Sequence, residues 1–173
     1  MSQYCIRHEP KRCIACHACE LHCQASHALV PDVRLGVLLD EEQTTALGQY
    51  RRTTAFRPCF HCENPWCVAV CPTHAISKSP KDGLVTIEAE KCVGCRACIA
   101  ACPWGVPQFD ATTGKALKCD GCKDRVRSGD LPACVAACTT HALSFSVPNI
   151  VVRKVRQEYA ISRLIEIGKK QAA

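Results

Sequence analysis

Cysteine is the residue type with which this sequence is best equipped to do chemistry. The chain has 17 cysteines among 173 residues, a density at which sulfur chemistry, more than hydrocarbon packing, must organise the interior. Cys5 stands alone, and the other cysteines form four groups that each end in a Cys-x3-Cys step. The first to fourth sets are, in order, Cys13, Cys16, Cys19 and Cys23; Cys59, Cys62, Cys67 and Cys71; Cys92, Cys95, Cys98 and Cys102; and Cys119, Cys122, Cys134 and Cys138.

The spacing within the sets is typical of 4Fe-4S ligation. The first and third sets have the bacterial ferredoxin run, in which three cysteines bind one cluster and the fourth reaches a second cluster. A compact loop can contact three corners of a cubane, but the following helix carries the fourth cysteine away, so the sets must act in pairs. The second set has a longer middle gap and the fourth an insertion. We therefore predict four 4Fe-4S clusters bound by these sixteen cysteines.

Two other metal sites use part of the same pattern. Any Cys-x2-Cys pair can bind zinc, and a regulatory or structural zinc protein is an alternative, although zinc does not explain the third and fourth cysteines of each set. The segment from Cys13 to His17 also matches the Cys-x-x-Cys-His pattern of covalent haem attachment. Because the ferredoxin spacing continues beyond His17, we favour the iron-sulfur interpretation.

Composition and missing motifs exclude several function classes. No stretch approaches the roughly 18 apolar residues of a membrane-spanning helix, so we predict no membrane span. The first residues lack an export-signal pattern, which predicts a cytoplasmic location with reduced thiols.

The formal net charge is +6, but four clusters of about −2 each bring the total near −2, so we predict no nucleic-acid partner. Fully ligated clusters offer no substrate position, and we predict no catalytic residue.

The elements between the cysteines predict an α+β fold built from short hairpins and helices. Residues 75–76 and 84–87 are strand-like and flank a turn at 81–83, which gives the hairpin of a two-cluster ferredoxin. Residues 4–6 and 142–145 are each half of such a hairpin, and we predict that they pair. Cys5 in this first strand is predicted to pack as a small hydrophobe.

These elements predict two nested bacterial-ferredoxin-like halves and a C-terminal extension. The connection between the first and second sets is predicted to be a loop that covers or docks something. The tail combines a strand-like run with a helix, which packs on its own domain or against a neighbouring subunit. The predicted units are a polyferredoxin domain at 1–147, with an outer half (1–27 with 117–147), an inner half (55–110) and a connecting loop (28–54), and a tail at 148–173.

The segment 59–75, CFHCENPWCVAVCPTHA, followed by a cysteine set with a long internal gap, is specific for one family. Over residues 4–147 the chain resembles the four-cluster ferredoxin-like electron-transfer subunits of molybdopterin and tungstopterin oxidoreductases. Such subunits occur in dimethyl sulfoxide reductase, formate dehydrogenase, formate hydrogenlyase and tungsten aldehyde oxidoreductase. Gln24 and Thr139 depart from the ferredoxin pattern, which has proline there.

The resemblance implies a non-catalytic subunit that relays single electrons through four 4Fe-4S clusters. Its expected partners are a large tungsten or molybdenum catalytic subunit and a flavin subunit, ferredoxin or hydrogenase, and we favour an aldehyde- or formate-oxidising complex. A free-standing polyferredoxin that shuttles between enzymes is the alternative.

The resemblance also implies a nested ligand arrangement. Cys138 completes the cluster of the first three cysteines of the first set, and Cys23 completes that of the fourth set. Cys102 completes the cluster of the first three cysteines of the second set, and Cys71 completes that of the third set.

Overall fold

The computed structural model of the chain describes residues 4–44, 48–146, 156–157, 159–162 and 165. Within them, short strands and short helices alternate along the chain, in agreement with the predicted mixture of both. The strands are β1 (Cys5–His8), β2 (Val37–Thr44), β3 (Tyr50–Arg57), β4 (Ile76–Lys78), β5 (Val85–Ile87), β6 (Gln108–Asp110), β7 (Lys115–Leu117) and β8 (Leu143–Ser146). The α-helices are α1 (Ala18–Ser26), α2 (Trp66–Ala69), α3 (Ala97–Ala101), α4 (Lys123–Arg127) and α5 (Ala133–Ala136), and 3-10 turns span Pro10–Arg12 and Ala89–Lys91.

The two predicted strand pairs are both present. β4 and β5 form an antiparallel hairpin in which Ile76 lies opposite Ile87. β1 and β8 pair antiparallel from Cys5 opposite Ser146 to His8 opposite Leu143, which joins the two ends of the cysteine-containing region. The prediction that residues 4–6 and 142–145 pair is therefore confirmed. The predicted tail strand at 150–152 lies outside the described residues, whereas the described tail positions are helical.

The connection at 28–54, predicted to be a loop, instead contains most of a long hairpin. β2 and β3 pair along their whole length, and Leu38 and Phe56 lie opposite each other and are buried. The backbone N–H of Leu38 donates to Glu20 Oε1 at 2.6 Å, which attaches the hairpin to α1. Beyond Leu39 the strands are polar and are joined by ion pairs such as Arg52 to Asp40. The loop prediction was wrong because cross-strand charge pairs, and not an apolar pattern, hold this half of the hairpin together.

A second hairpin, β6–β7, was also not predicted. It runs from the end of the predicted inner half to the start of the second outer segment, and the side chain of Asp110 holds its turn. The carboxylate accepts a hydrogen bond from the N–H of Thr112 at 2.8 Å and one from the hydroxyl of Thr113 at 2.8 Å. Such Asx-type turns close a hairpin without an Asn-Gly or Asp-Gly dipeptide, the pattern that predicts hairpins most strongly.

The apolar core is divided into small clusters, and each of them contains cysteines. One joins Cys19 and Cys134 to Leu38, Phe56 and Leu143. A second joins Cys98 to residues of β4, β5 and β7, and a third joins Cys23 to the segment before β2. Cysteine thus takes the place of much of the hydrocarbon that a domain of this size would otherwise bury. Among the described residues, no helix has the length and apolar character needed to cross a bilayer.

An ion pair between the exposed guanidinium of Arg127 and the buried carboxylate of Asp82 connects α4 to the β4–β5 turn. The guanidinium of Arg127 donates to Asp82 Oδ2 at 3.0 and 3.1 Å, and the N–H of Leu84 donates to Oδ1 at 3.1 Å. Burial alone would raise the pKa of Asp82, but hydrogen bonds from Ser79, Leu84 and Arg127 outweigh it and hold this pKa below its usual value. The carboxylate therefore stabilises the fold in its charged form.

Asp82→Asn is expected to destabilise the protein by about 1.5–3 kcal/mol, because charge-assisted hydrogen bonds to a buried carboxylate are lost. Urea unfolding under nitrogen measures the loss at pH 7. Because the folded-state pKa is depressed, the difference from wild type should persist down to about pH 5 and narrow below about pH 4. Asp40→Asn, in the more exposed pair with Arg52, should cost less, and equal costs would contradict the prediction.

Candidate metal centres

Loops with left-handed backbone positions curl the first and third sets. Ala15 and His17, with φ of 52° and 57°, flank the second cysteine of the first set. Gly94 and Arg96, with φ of 70° and 63°, occupy the same places in the third set. α1 and α3 begin directly after these residues. A turn of this shape brings three cysteines to the same side of the backbone, as the spacing predicts.

Two cavities each collect four cysteines, three from one set and one from a distant set. The first cavity is lined by Cys13, Cys16, Cys19 and Cys138, with Leu38 and Phe56 of the β2–β3 hairpin among its walls. The hairpin thus covers this cavity. The second cavity is lined by Cys71, Cys92, Cys95 and Cys98, and its walls include Ile76, Ile87 and Ala116.

The last cysteine of the first set lies among cysteines of the fourth set. Burial, together with the charges of Cys119 and Cys122, raises the pKa of Cys23 to about 12. Burial also raises the pKa of Cys134, and the same neighbours, together with Cys23, add to the effect. Cys23 and Cys119 belong to one buried cluster of side chains. These four thiols are therefore close neighbours, although up to 111 positions separate them in the chain (Cys23 to Cys134).

The remaining group joins the second set to the end of the third set. Burial raises the pKa of Cys67, and the charges of Cys102 and Cys62 contribute to the rise. Burial also raises the pKa of Cys59, and the charge of Cys67 contributes to this rise. Cysteines of the second set therefore lie near Cys102 of the third set, and Cys67 also packs against the cluster that contains Cys98.

Backbone N–H groups point at several of these sulfurs. Cys92 Sγ accepts from Ala116 at 3.5 Å, and Cys138 Sγ accepts from Leu143 at 3.4 Å. Burial acts to raise the pKa of Cys71, but N–H groups of Ile76, Ala75 and Thr73 and the Thr73 hydroxyl outweigh it and lower this pKa. Hydrogen bonds to cluster sulfur are one way in which proteins adjust reduction potential.

The donor set fits 4Fe-4S clusters. Each of the two cavities is lined by four cysteine thiols, and soft thiolate ligands favour iron-sulfur clusters. His27 and Asp120 lie beside Cys122, with His27 Nε2 at 3.5 Å from its Sγ, and so adjoin the fourth-set group. Clusters bind thiolates, so binding releases protons from thiols whose pKa is raised. When bound, the clusters supply one-electron redox chemistry.

Gly94 is a site residue that the sequence analysis missed. A Cβ at this position would overlap the carbonyl oxygen of Gly114 in the β6–β7 turn. The third-set loop and this turn can therefore touch only when residue 94 has no side chain. A glycine between two cysteines of a tight loop was the available signal, because such loops need positive φ.

Cys5 lies outside these four groups. It is a half-buried residue of β1, its thiol donates to the Ser146 carbonyl at 3.4 Å, and burial raises its pKa. This placement agrees with the predicted packing role.

Four groups of cysteine thiols on curled loops define an iron-sulfur protein of the ferredoxin class. Residues 52–148 match the family described as 4Fe-4S dicluster domain. The chain is 38% identical over 151 residues to the B subunit of anaerobic dimethyl sulfoxide reductase of Escherichia coli (strain K12), covering 83% of this chain and 73% of that protein. It is 40% identical over 149 residues to thiosulfate reductase electron transfer subunit PhsB of Salmonella typhi, covering 83% and 76%.

A third relative is the B subunit of polysulfide reductase of Wolinella succinogenes, which is 38% identical over 158 residues, covering 88% of this chain and 82% of that protein. The chain therefore belongs to the family of ferredoxin-like iron-sulfur electron-transfer subunits of molybdopterin oxidoreductases. It is an electron-transfer component and not a catalytic subunit, and its cofactors are four 4Fe-4S clusters.

Proposed function

We propose that the four clusters are held in a nested arrangement, in which the outer half of the molecule holds two clusters and the inner half holds the other two. Cys138 completes the first-set site and Cys23 the fourth-set site, whereas Cys102 and Cys71 complete the second-set and third-set sites. The observation that carries this proposal is the composition of the two cavities, each lined by three cysteines of one set and one of another. The β1–β8 pair supports it as well, because it brings the first and fourth sets together.

The proposed sites form a single row. Cys19 of the first-set site and Cys134 of the fourth-set site belong to one buried cluster, so these two sites adjoin. Gly121 of the fourth set lies against His61 of the second set, since a Cβ on Gly121 would be 3.3 Å from His61 Nε2. Cys67 of the second set packs against the cluster that contains Cys98 of the third set. The order supported is therefore first-set, fourth-set, second-set and third-set site.

The ends of this row are the points at which we propose that electrons enter and leave. Cys16 in the first-set site and Cys95 in the third-set site are the exposed ligands among the sixteen cysteines. Apolar side chains beside them, Ile14 and Val93, are 60% and 66% exposed. Exposed apolar residues next to a redox site favour contact with partner proteins. The two central sites serve as intermediate steps.

The proposed partner is the molybdopterin catalytic subunit of a reductase complex. The three relatives are subunits of dimethyl sulfoxide, thiosulfate and polysulfide reductases, and this supports a reductase. A tungsten partner that oxidises aldehyde or formate stays a prediction, as do a flavin, ferredoxin or hydrogenase partner and the cytoplasmic location. Subcellular fractionation tests the last of these.

Anaerobic purification from the native organism tests the proposed function. Four clusters predict about 16 iron atoms per chain, with equal acid-labile sulfide and little zinc. A large molybdopterin-containing subunit should copurify. Migration as a monomer on anaerobic gel filtration would favour a free-standing polyferredoxin, and zinc without iron would favour the structural zinc protein.

A further inference from the structure

A buried lysine lies at the centre of the row of sites. Lys118 follows β7 directly, precedes Cys119 and is only 6% exposed. Its ammonium group donates to the Cys119 carbonyl at 2.6 Å and to the Val85 carbonyl, which are both neutral acceptors. Within the described residues, no carboxylate forms an ion pair with Lys118. Moving an ammonium group out of water without a nearby anion costs desolvation free energy. We therefore expect a negatively charged group next to Lys118.

The cysteines of two different sites provide negative groups around Lys118. Burial raises the pKa of Cys59, and both the charge of Lys118 and a hydrogen bond from it act in the opposite direction. Burial likewise raises the pKa of Cys67 and of Cys119, and in each case Lys118 is the leading opposing influence. The contacts agree with this: Lys118 directly precedes Cys119, and its ammonium donates to the carbonyl of Val85, whose own N–H donates to His61 in the second-set loop. Lys118 therefore lies between the second-set loop and the start of the fourth set.

The other ionisable side chains near Lys118 do not provide a negative partner for it. His61 is buried, and its Nδ1 accepts a hydrogen bond from the N–H of Val85 at 2.9 Å. Burial, together with the charge of Lys118, lowers the pKa of His61 to about 3, so this imidazole is neutral. Asp82 is bound by Arg127. Arg125 also acts on Cys122 of the fourth set, but it is exposed, whereas Lys118 is a buried cation next to both central sites.

We propose that Lys118 is a tuning residue whose fixed positive charge raises the reduction potentials of the two central 4Fe-4S clusters. The inference rests on the proposed arrangement of sites. Reduction adds one negative charge to a cluster, and a nearby buried cation stabilises that charge more strongly than it would in water. Net charge around a cluster is among the factors that set its potential. Lys118 lowers the energy of the reduced state at both central positions together.

The test is an EPR-monitored redox titration of the full chain with all four clusters assembled. In Lys118→Gln, which keeps hydrogen-bond donors but loses the charge, two of the four midpoint potentials should become more negative and two should stay unchanged. The expected change is at least about tenfold in the equilibrium between reduced and oxidised cluster, which is about 59 mV for one electron. Lys118→Arg should keep the wild-type potentials.

Lys81→Gln is the matched control, since it removes the same charge from an exposed position in the β4–β5 turn. Unchanged potentials in Lys118→Gln, an equal shift of all four clusters, or a shift of the same size in Lys118→Arg would overturn the proposal. If Lys118→Gln loses only the two central clusters while Lys118→Arg retains all four, the charge acts on both central sites, in agreement with the proposal. If both lose the same clusters, it is wrong. The iron content of wild-type protein tests the proposed function separately.

Discussion

Cys23→Ser is expected to remove the fourth-set cluster and to leave the first-set cluster in place. Serine offers a hydroxyl in place of the soft thiolate that iron-sulfur clusters favour, so one complete cluster is lost. The iron content should fall from about 16 to about 12 atoms per chain. In the proposed arrangement the damage appears in the site of Cys119, Cys122 and Cys134.

Double substitutions distinguish the nested arrangement from one in which each set holds its own cluster. Cys23→Ser combined with Cys119→Ser should keep about 12 irons, because both changes affect one site, whereas Cys23→Ser with Cys13→Ser should keep about 8. If each set held its own cluster, the two results would be exchanged. Cys5→Ser, outside the four sets, should keep the wild-type iron content and serves as the control.

Gly94→Ala is expected to prevent the third-set site from binding its cluster. A non-glycine residue in the left-handed region costs roughly 1–2 kcal/mol, and the added Cβ also overlaps the Gly114 carbonyl oxygen. This oxygen belongs to the backbone of a turn that Asp110 holds in place. The loop must therefore move, and Cys92 and Cys95, on either side of Gly94, move with it. Iron analysis should give about 12 atoms per chain.

Gly105→Ala separates the two causes. Gly105 also has positive φ, at 62°, and lies just after the third cysteine set, but a Cβ there meets no atom within 4 Å. This variant should keep about 16 irons, since it bears only the conformational cost. If Gly94→Ala keeps the full iron content, and loses iron to a chelator no faster than Gly105→Ala, the close contact with Gly114 is not needed for the site.

The predicted hairpin and the missed hairpins differ in the kind of interaction that stabilises them. β4 and β5 were predictable because their apolar residues flank a turn containing Asp82 and Gly83. The half of the β2–β3 hairpin beyond Leu39 has no such pattern, since it is held by cross-strand ion pairs. Sequence periodicity reports burial, and these strands are largely exposed at that end.

The site was predictable to the extent that its chemistry is local. Thiol donors at two- and three-residue spacing on one loop can reach the same metal centre whatever the rest of the chain does, so the iron-sulfur interpretation followed from the sequence. Gly94 was not recognised, because its partner, Gly114, lies on a different hairpin. Lys118 was not recognised either, because a lysine next to a cysteine gives no indication of whether it is buried.

The sequence by itself determined the ligand type, the four sets and the pairing of the chain's first and last ferredoxin strands. Only the tertiary structure showed that Cys138 and Cys71 line the cavities of distant sets, that the β2–β3 hairpin covers one of these cavities, and that Lys118 is buried. The physical reason is the separation along the chain between the residues that interact. Ligand spacing acts over a few residues, whereas burial, charge compensation and the close approach of two backbones depend on segments that folding brings together from far apart in the chain.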